Sequence, residues 1–267
     1  MSILNEIADY TRQRISECKK TVSDSEMIER AKAVKSKLPA FAFENALKKD
    51  GINFICEVKK ASPSKGVIVE TFPYEAIATD YENAGADCIS CLTEPKYFMG
   101  NDNYLKAIKS KVNIPVLRKD FTIDEYMIYQ AKSLDADCVL LICSLLPEET
   151  LKRYIGICDS LGMSALVEAH DENEIKSAIN AGARIIGVNN RDLNTFKVDV
   201  HNSERLRALV PENILFVAES GIKTHDDIEV LENANVNGVL IGETLMRSND
   251  KKAMLDTLRN ETEMRNI

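Results

Sequence analysis

Charged residues follow four of the apolar segments of this chain, and their chemical types suit proton transfer. Glu57 and Lys59 follow one segment, Lys119 a second, Glu168 a third and Glu219 a fourth. Withdrawing an ionisable group from water is costly unless the group is paired, so such a set tends to mark a site. Pairing and burial push the pKa values of amines and carboxylates apart, so that one group donates a proton and another accepts it. We predict acid–base chemistry here; structural ion pairs are the alternative.

Two further groups of residues suit an anionic ligand. Asn189 and Arg191 follow another apolar segment, and a guanidinium binds a carboxylate or a phosphate well. The alternative for Arg191 is an ion pair with Asp192. Ser220-Gly221 and Gly242-Glu243 follow the last two segments, where glycine lets backbone N–H groups turn toward an anion. These loops predict a phosphate site.

Eight apolar or β-branched segments would have to position these side chains. They are residues 54–58, 88–92, 115–117, 138–142, 165–167, 185–188, 215–218 and 239–241. Their starts lie about 20 to 34 residues apart, which is the length of a strand, a helix and two turns in a parallel βα unit. The spacing predicts an α/β protein with eight parallel strands.

Short turn sequences recur before every second segment. They are Gly85-Ala86-Asp87, Asp135-Ala136-Asp137, Ala181-Gly182-Ala183 and Asn235-Val236-Asn237. The repeat favours a closed (β/α)8 TIM barrel over an open, doubly wound sheet, although spacing leaves both possible. The chain length of 267 residues is close to the roughly 250 typical of one such barrel. We predict a single barrel over residues 1–267.

About fifty residues precede the first predicted strand and form an N-terminal helical extension. One helical pattern contains Ile3, Ile7 and Ile15, a second covers residues 23–35, and a shorter piece covers 41–47. These helices either close the barrel bottom, form a dimer contact, or line the mouth, and periodicity does not choose among these roles.

Composition excludes several classes of protein. The net charge is −8 and no basic cluster occurs, so we expect no nucleic-acid partner. No signal peptide or membrane span is recognisable, which predicts a cytoplasmic protein. The cysteine number is odd, and Cys56, Cys88, Cys91 and Cys138 lie in apolar segments. We interpret them as buried free thiols and not as metal ligands or a redox pair.

Six segments together resemble the indole-3-glycerol phosphate synthase family and occur in the family's order. They are EVKKASPSKG (57–66), LRKDF (117–121), LVEAH (166–170), GVNNRDL (187–193), AESGI (218–222) and IGE (241–243). The resemblance covers nearly the whole chain. It implies a carboxy-lyase of tryptophan biosynthesis with no metal or organic cofactor. The substrate 1-(o-carboxyphenylamino)-1-deoxyribulose 5-phosphate would lose carbon dioxide and water to give indole-3-glycerol phosphate.

The resemblance also implies roles for individual residues. Lys119 would be the general acid of ring closure, and Glu168 would assist proton removal in the dehydration. Lys59 would contact the substrate carboxylate and would be a candidate proton donor in the dehydration, with Glu57 orienting it or accepting from it. Which lysine acts in which step stays open. The implied substrate-binding residues are Ser62, Phe121, Asn189, Arg191 and Glu219, and the implied phosphate-binding residues are Ser220, Gly221, Gly242 and Glu243.

Two other functions remain possible at this point. Another sugar-phosphate barrel, such as phosphoribosylanthranilate isomerase, would share the late phosphate loops but use a cysteine and an aspartate; Cys56 lies nearby without a matching aspartate. A catalytically silent barrel used as a binding protein would have lost at least one charged strand-end residue, and all are present. The chain ends soon after the eighth predicted helix, which indicates a monofunctional enzyme. We expect a monomer or weak homodimer.

Overall fold

Eight parallel strands form a closed barrel in the computed structural model, which describes residues 2–191 and 197–260. The strands are β1 (Asn53–Val58), β2 (Cys88–Leu92), β3 (Val116–Lys119), β4 (Cys138–Ile142), β5 (Ser164–Ala169), β6 (Ile185–Asn189), β7 (Leu215–Glu219) and β8 (Gly238–Ile241). β1 pairs with β2 on one side and with β8 on the other, where Asn53 is opposite Gly238. This closure confirms the predicted barrel and excludes the open sheet.

Twelve helices surround the barrel in the described part of the chain. They are α1 (Ile3–Thr21), α2 (Asp24–Ala33), α3 (Ala42–Ala46), α4 (Tyr74–Asn83), α5 (Asp102–Lys111), α6 (Glu125–Ser133), α7 (Glu148–Ser160), α8 (Glu172–Asn180), α9 (His201–Arg207), α10 (His225–Asn233), α11 (Glu243–Arg247) and α12 (Lys251–Leu258). No helix among the described residues combines the length and apolar character that crossing a membrane requires.

The four recurrent turn sequences share one backbone conformation. Gly85, Asp135, Gly182 and Asn235 have φ values of 87°, 64°, 86° and 57°. Glycine, aspartate and asparagine tolerate this left-handed region better than other residues do. Each lies two residues after the end of a helix and three residues before the start of an even-numbered strand. The repeat in the sequence therefore records a backbone requirement.

The interior of the barrel is apolar at the bottom and charged at the top. Ile55, Leu117, Leu166 and Val217 lie in one buried apolar cluster inside the barrel. Successive side chains of a strand point to opposite faces, so the residue two positions further on shares the same inward direction. That residue is Glu57, Lys119, Glu168 or Glu219 in the respective strand. The period of two thus places four ionisable groups at the carboxyl ends of the odd-numbered strands.

The N-terminal extension closes the barrel bottom and also lines its mouth. Phe43 and Leu47, in and next to α3, are buried in the same cluster as Ile55, so α3 fills the bottom. Ile3, Leu4 and Ile7 of α1 line the cavity at the opposite end. Two of the alternatives left open by the sequence are therefore realised, each by a different helix. α2 packs against α6, where Met27 joins a cluster with Tyr126 and Met127.

All seven cysteines are free thiols, and Cys56, Cys88, Cys91 and Cys138 are buried. The interpretation as buried thiols is confirmed. Burial raises the pKa of the Cys56 thiol, and the side chain belongs to the apolar layer between barrel and helices. Cys56 therefore does not have the exposure and ionisation that a catalytic thiol needs.

Candidate active site

A cavity of about 640 Å³ opens at the carboxyl ends of the strands. This end of a (β/α)8 barrel is where catalytic groups are carried. All thirteen residues predicted from the sequence line this one cavity. They are Glu57, Lys59, Ser62, Lys119, Phe121, Glu168, Asn189, Arg191, Glu219, Ser220, Gly221, Gly242 and Glu243. Asp192 and Leu193, which belong to one of the six resembling segments, lie outside the described residues.

Lys119 lies between two buried carboxylates on the floor of the cavity. Its Nζ is 3.0 Å from Oε2 of Glu219 and 3.4 Å from Oε2 of Glu168. Both glutamates are 2% exposed, so their charges are screened little by water. The two acids compete for one cation, and their proton affinities must differ as a result.

The electrostatic surroundings separate these three groups. Burial lowers the pKa of Lys119, but Glu219, Glu168 and Glu57 outweigh burial and raise it above that of an ordinary lysine. Burial alone would raise the pKa of Glu168, whereas Lys119 and His170 lower it below that of an ordinary glutamate. Burial and the neighbouring Glu168 charge raise the pKa of Glu219 to about 7, against the opposing effect of Lys119. At neutral pH the site holds a charged lysine, an ionised Glu168 and a partly protonated Glu219.

Glu57 and Lys59 form a second ion pair beside the first. A Cβ on Gly242 would overlap the Glu57 carboxylate and lie 2.8 Å from Lys59 Nζ. Glycine at this position therefore leaves the space that the pair occupies. Gly242 thus has two predicted functions. Its lack of a side chain leaves room for the Glu57–Lys59 pair, and its backbone belongs to the predicted phosphate site.

Gly187 has a similar function next to Glu219. A Cβ at this position would overlap Oε1 of Glu219 and lie 3.1 Å from Cδ1 of Leu166. Oε1 is buried and has no hydrogen-bond partner among the residues that the structure describes. Because Gly187 has no side chain, Oε1 of Glu219 can occupy the space next to it.

We expect Gly187→Ala to lower kcat by about 10²-fold, because the added Cβ would displace the Glu219 carboxylate and a misplacement of about 1 Å can have an effect of that size. Steady-state kinetics would measure it. Gly156→Ala is the matched control, since a Cβ on Gly156 in α7 meets no atom within 4 Å. The control should keep full activity and gain up to about 1 kcal/mol of stability from helix propensity. Equal activity of the two variants would contradict the role assigned to Gly187.

The loop after β7 has the backbone geometry of an anion site. Ser220 and Gly221 have φ values of 68° and 88°, so two successive residues are left-handed. This conformation is strained for serine. The Asn190 side chain stabilises it by donating from Nδ2 to the Ser220 carbonyl at 3.1 Å, while its Oδ1 accepts from Ser203 of α9. Asn190 is therefore a structural residue that holds β6, β7 and α9 together.

The Glu243 carboxylate forms ion pairs with two basic side chains, those of Lys65 and Arg247. Its Oε1 lies 3.3 Å from Lys65 Nζ and 3.1 Å from Arg247 Nε. Lys65 belongs to a short hairpin, in which Ala61–Ser62 pairs with Gly66–Val67, directly after β1. The ion pair thus links the loop after β1 to the start of α11. Lys65, Arg247 and Lys223 also line the cavity and were not predicted from the sequence.

Two aromatic side chains lie next to each other in the cavity lining. The Phe121 ring lies 5.9 Å from the ring of Phe98, and both line the cavity. Phe98 was not predicted, because it lies in the loop after β2. The prediction relied on charged residues at strand ends, and β2 contains none. The loop is held by Glu94, whose carboxylate accepts the backbone N–H groups of residues 96 to 98. Flat apolar surfaces of this kind suit an aromatic ring.

A buried ion pair fixes α1 to the end of β3. Arg14 of α1 donates to both carboxylate oxygens of Asp120, at 2.8 and 2.9 Å. Asp120 directly follows Lys119, is 1% exposed, and also accepts from Thr93 at 2.8 Å. The sequence predicted neither partner, since the residues lie 106 positions apart.

The closed barrel with an acid–base cluster at its strand ends defines an enzyme of the (β/α)8 class. The model of one family, indole-3-glycerol phosphate synthase, matches residues 4–258. Curated relatives of that name include a protein of Ruminiclostridium cellulolyticum, 60% identical over 96% of this chain and 98% of its own. Another, from Lachnoclostridium phytofermentans, is 50% identical over 96% of this chain and 98% of its own.

The chain belongs to the indole-3-glycerol phosphate synthase family, which confirms the resemblance. It is a decarboxylating lyase of tryptophan biosynthesis that acts on a small phosphorylated substrate. The isomerase and the silent barrel are thereby excluded.

Solved structures share the fold at low identity. A 3-hexulose-6-phosphate synthase from Salmonella typhimurium has a TM-score of 0.65 at 12% identity, covering 80% of this chain and 99% of its own. A thiamine phosphate pyrophosphorylase from Pyrococcus furiosus has a TM-score of 0.60 at 16% identity, covering 83% and 98%. These similarities concern the barrel alone.

Proposed function

We propose that Lys119 is the general acid and Glu168 the general base of the synthase reaction, with Lys59 and Glu57 as a second proton-transfer pair. The observation that supports this assignment is the position of Lys119 between Glu168 and Glu219 on the cavity floor. A charged donor and an ionised acceptor then lie within reach of the same substrate atoms.

The substrate, 1-(o-carboxyphenylamino)-1-deoxyribulose 5-phosphate, is oriented by its two anionic ends. The phosphate binds to the backbone N–H groups of Ser220, Gly221, Gly242 and Glu243, near the Ser62 hydroxyl. The anthranilate ring lies against Phe121, with its carboxylate toward Lys59. Asn189 and Arg191 contact the sugar hydroxyls or the anthranilate. The left-handed backbone at 220–221 and the aromatic pair of Phe98 and Phe121 support this orientation.

Ring closure then forms a carbon–carbon bond. The aromatic carbon that bears the carboxylate attacks the ketone carbon of the sugar, and Lys119 protonates the ketone oxygen as it becomes a hydroxyl group. Loss of carbon dioxide returns the electron pair of the broken bond to the ring. Because the developing alkoxide is a stronger base than the amine, a raised lysine pKa does not prevent this transfer.

Dehydration completes the indole. Glu168 removes a proton while the new hydroxyl group leaves as water, protonated by a lysine ammonium group. Lys59 is the donor in this step, and Glu57 orients it. The direct contact of the Glu57 and Lys59 side chains supports this pairing. Glu219 positions Lys119 through Oε2 and lines the cavity beside the substrate.

We also propose that residues 1–267 form one domain, with residues 1 to about 50 as its helical extension. The protein works in the cytoplasm as a monomer or weak homodimer. No nucleic acid, metal ion or organic cofactor takes part. Free thiols at every cysteine support a reducing compartment. Sedimentation velocity at several protein concentrations would measure the oligomeric state.

The activity test uses the purified, chelator-treated protein and the substrate alone. Because the chain contains no tryptophan, an increase in indole emission reports the product without a tryptophan background. We expect product to form at the same rate with and without chelator. If a folded protein forms no product but binds the substrate, the proton-transfer roles are wrong. A rate that requires added metal would contradict the metal-free mechanism.

A further inference from the structure

His170 lies behind Glu168 and contacts two carboxylates with its two ring nitrogens. Nδ1 is 2.9 Å from Oε2 of Glu174, and Nε2 is 3.4 Å from Oε1 of Glu168. The second contact is an ion pair and not an aligned hydrogen bond, since Nε2 has no hydrogen-bond partner within the described part of the chain. His170 does not line the cavity, so it reaches the substrate only through Glu168.

The backbone around His170 holds the ring in this orientation. Asp171 is the N-cap of α8 and accepts the N–H groups of Asn173 and Glu174. Glu174 in the first turn accepts both the His170 N–H, at 2.8 Å, and Nδ1 of the ring. One carboxylate therefore fixes the main chain and the ring of His170 together. The remaining ring nitrogen, Nε2, lies 3.4 Å from Oε1 of Glu168.

Several charged groups face Glu168 from the surrounding elements. Lys119 of β3 contacts Oε2, and Glu219 of β7 shares that lysine. Glu57 of β1 acts on the same cluster from a greater distance. His170 and Glu174 lie on the side of Glu168 away from Lys119. Cys143, which follows β4, contacts the Glu174 carbonyl group. Among these, His170 is the group that contacts Glu168 but not Glu219.

We propose that His170, held by Glu174, is a positioning residue that keeps Glu168 ionised, so that the proton shared by the two carboxylates resides on Glu219. This inference rests on the proposed role of Glu168 as the base. The two glutamates share burial and contact with Lys119, so without a charge that favours one of them a proton would divide between the two carboxylates. Contacts with two carboxylates raise the pKa of His170 to about 10, against the effect of burial, so the ring is charged at neutral pH.

The test is the pH dependence of kcat in His170→Gln. An opposite charge within a few ångströms of a carboxylate lowers its pKa by about 1 to 3 units, so its removal returns the proton to Glu168. Below pH 7, where the pair holds one proton, the base is then blocked. We expect the ratio of variant to wild-type kcat to fall about tenfold or more between pH 8.5 and pH 6, with KM unchanged. A ratio that is reduced equally at every pH would mean a structural role and would overturn the proposal.

Glu174→Gln is the second variant, because it keeps the main-chain contact but removes the anion that charges the ring. Its kcat ratio should fall in the same direction at low pH; a flat ratio in both variants refutes the inference. His201→Gln is the matched control. His201 Nδ1 contacts Glu204 at 3.0 Å on the surface, outside the cavity lining, and its loss should leave the profile unchanged.

Combining His170→Gln with Glu168→Gln separates this inference from the proposed function. If Glu168→Gln alone retains full activity, the base assignment itself fails. If Glu168→Gln is damaging and His170 acts through Glu168, the double variant shows no additional loss at low pH relative to Glu168→Gln. A further pH-dependent loss in the double variant would overturn the inference while leaving the base assignment intact.

Discussion

Lys119→Met lowers kcat by about 10³-fold or more, because general acid catalysis contributes about 10²–10⁴-fold and the substitution also removes the cation between two acids. Methionine has nearly the same length and fills the same space. The remaining carboxylates of Glu168 and Glu219 lose their shared counter-ion, so one of them stays protonated at neutral pH. The base is thus weakened together with the loss of the acid. Indole emission under single-turnover conditions measures the chemical step directly.

The control for Lys119→Met is Lys96→Met. Lys96 lies 5.1 Å from the Tyr10 ring and 5.0 Å from the Tyr97 ring near the mouth, but it does not line the cavity. Its replacement should leave kcat unchanged. Substrate affinity of Lys119→Met, measured by equilibrium titration, should stay close to that of the wild type, because the substrate anions bind elsewhere. Turnover within about a factor of ten of the wild type would remove Lys119 as the acid.

Glu168→Gln reduces kcat by a smaller factor, about 10²-fold, because an amide accepts no proton but the groups that close the ring remain. Lys119 keeps one carboxylate partner, since Glu219 is the nearer of the two at 3.0 Å. Removing the Glu168 charge lowers the pKa of Glu219, because the repulsion that helped to raise it disappears. The loss should therefore appear in the dehydration step, after the carbon–carbon bond has formed.

Rapid quenching of Glu168→Gln distinguishes this expectation from a general loss of activity. Carbon dioxide should be released faster than indole product appears, and the dehydration precursor should accumulate. Glu204→Gln is a suitable control, as Glu204 is an exposed partner of His201 on α9. If carbon dioxide and indole form at equal, undiminished rates, Glu168 has no part in proton removal.

The strands were predictable because their apolar segments are short, regularly spaced and separated by turn residues. Their ends were less so. The third segment was predicted as residues 115–117, whereas β3 extends from Val116 to Lys119. An apolar pattern necessarily stops at the first charged residue, although the backbone pairing continues through Lys119 opposite Leu92. The residues that define the site are therefore the ones at which a hydrophobic criterion ends a strand too early.

Other parts of the site depend on contacts that no local pattern contains. Arg14 and Asp120 are separated by 106 residues, and no local pattern connects the two. The hairpin residue Lys65 meets Glu243 only after the barrel has closed. The spacing of four between His170 and Glu174 can be read from the sequence. Their contact, which orients the ring, forms next to the N-cap at Asp171 and could not be read from it.

The closure of the barrel has a consequence for the order in which the protein is made. β1 can pair with β8 only when nearly the whole chain exists, since Asn53 bonds to Asn237, which is 184 residues later. Synthesis proceeds at about 5–20 residues per second, so the free edge of β1 stays unpaired for about ten seconds or longer. Arg14 of α1 likewise stays unpaired until Asp120 has been made, 106 residues later. A nascent chain therefore has an unpaired, aggregation-prone strand edge until its last strand has been made. We expect the dependence on chaperones to be greatest for chains that end before β8.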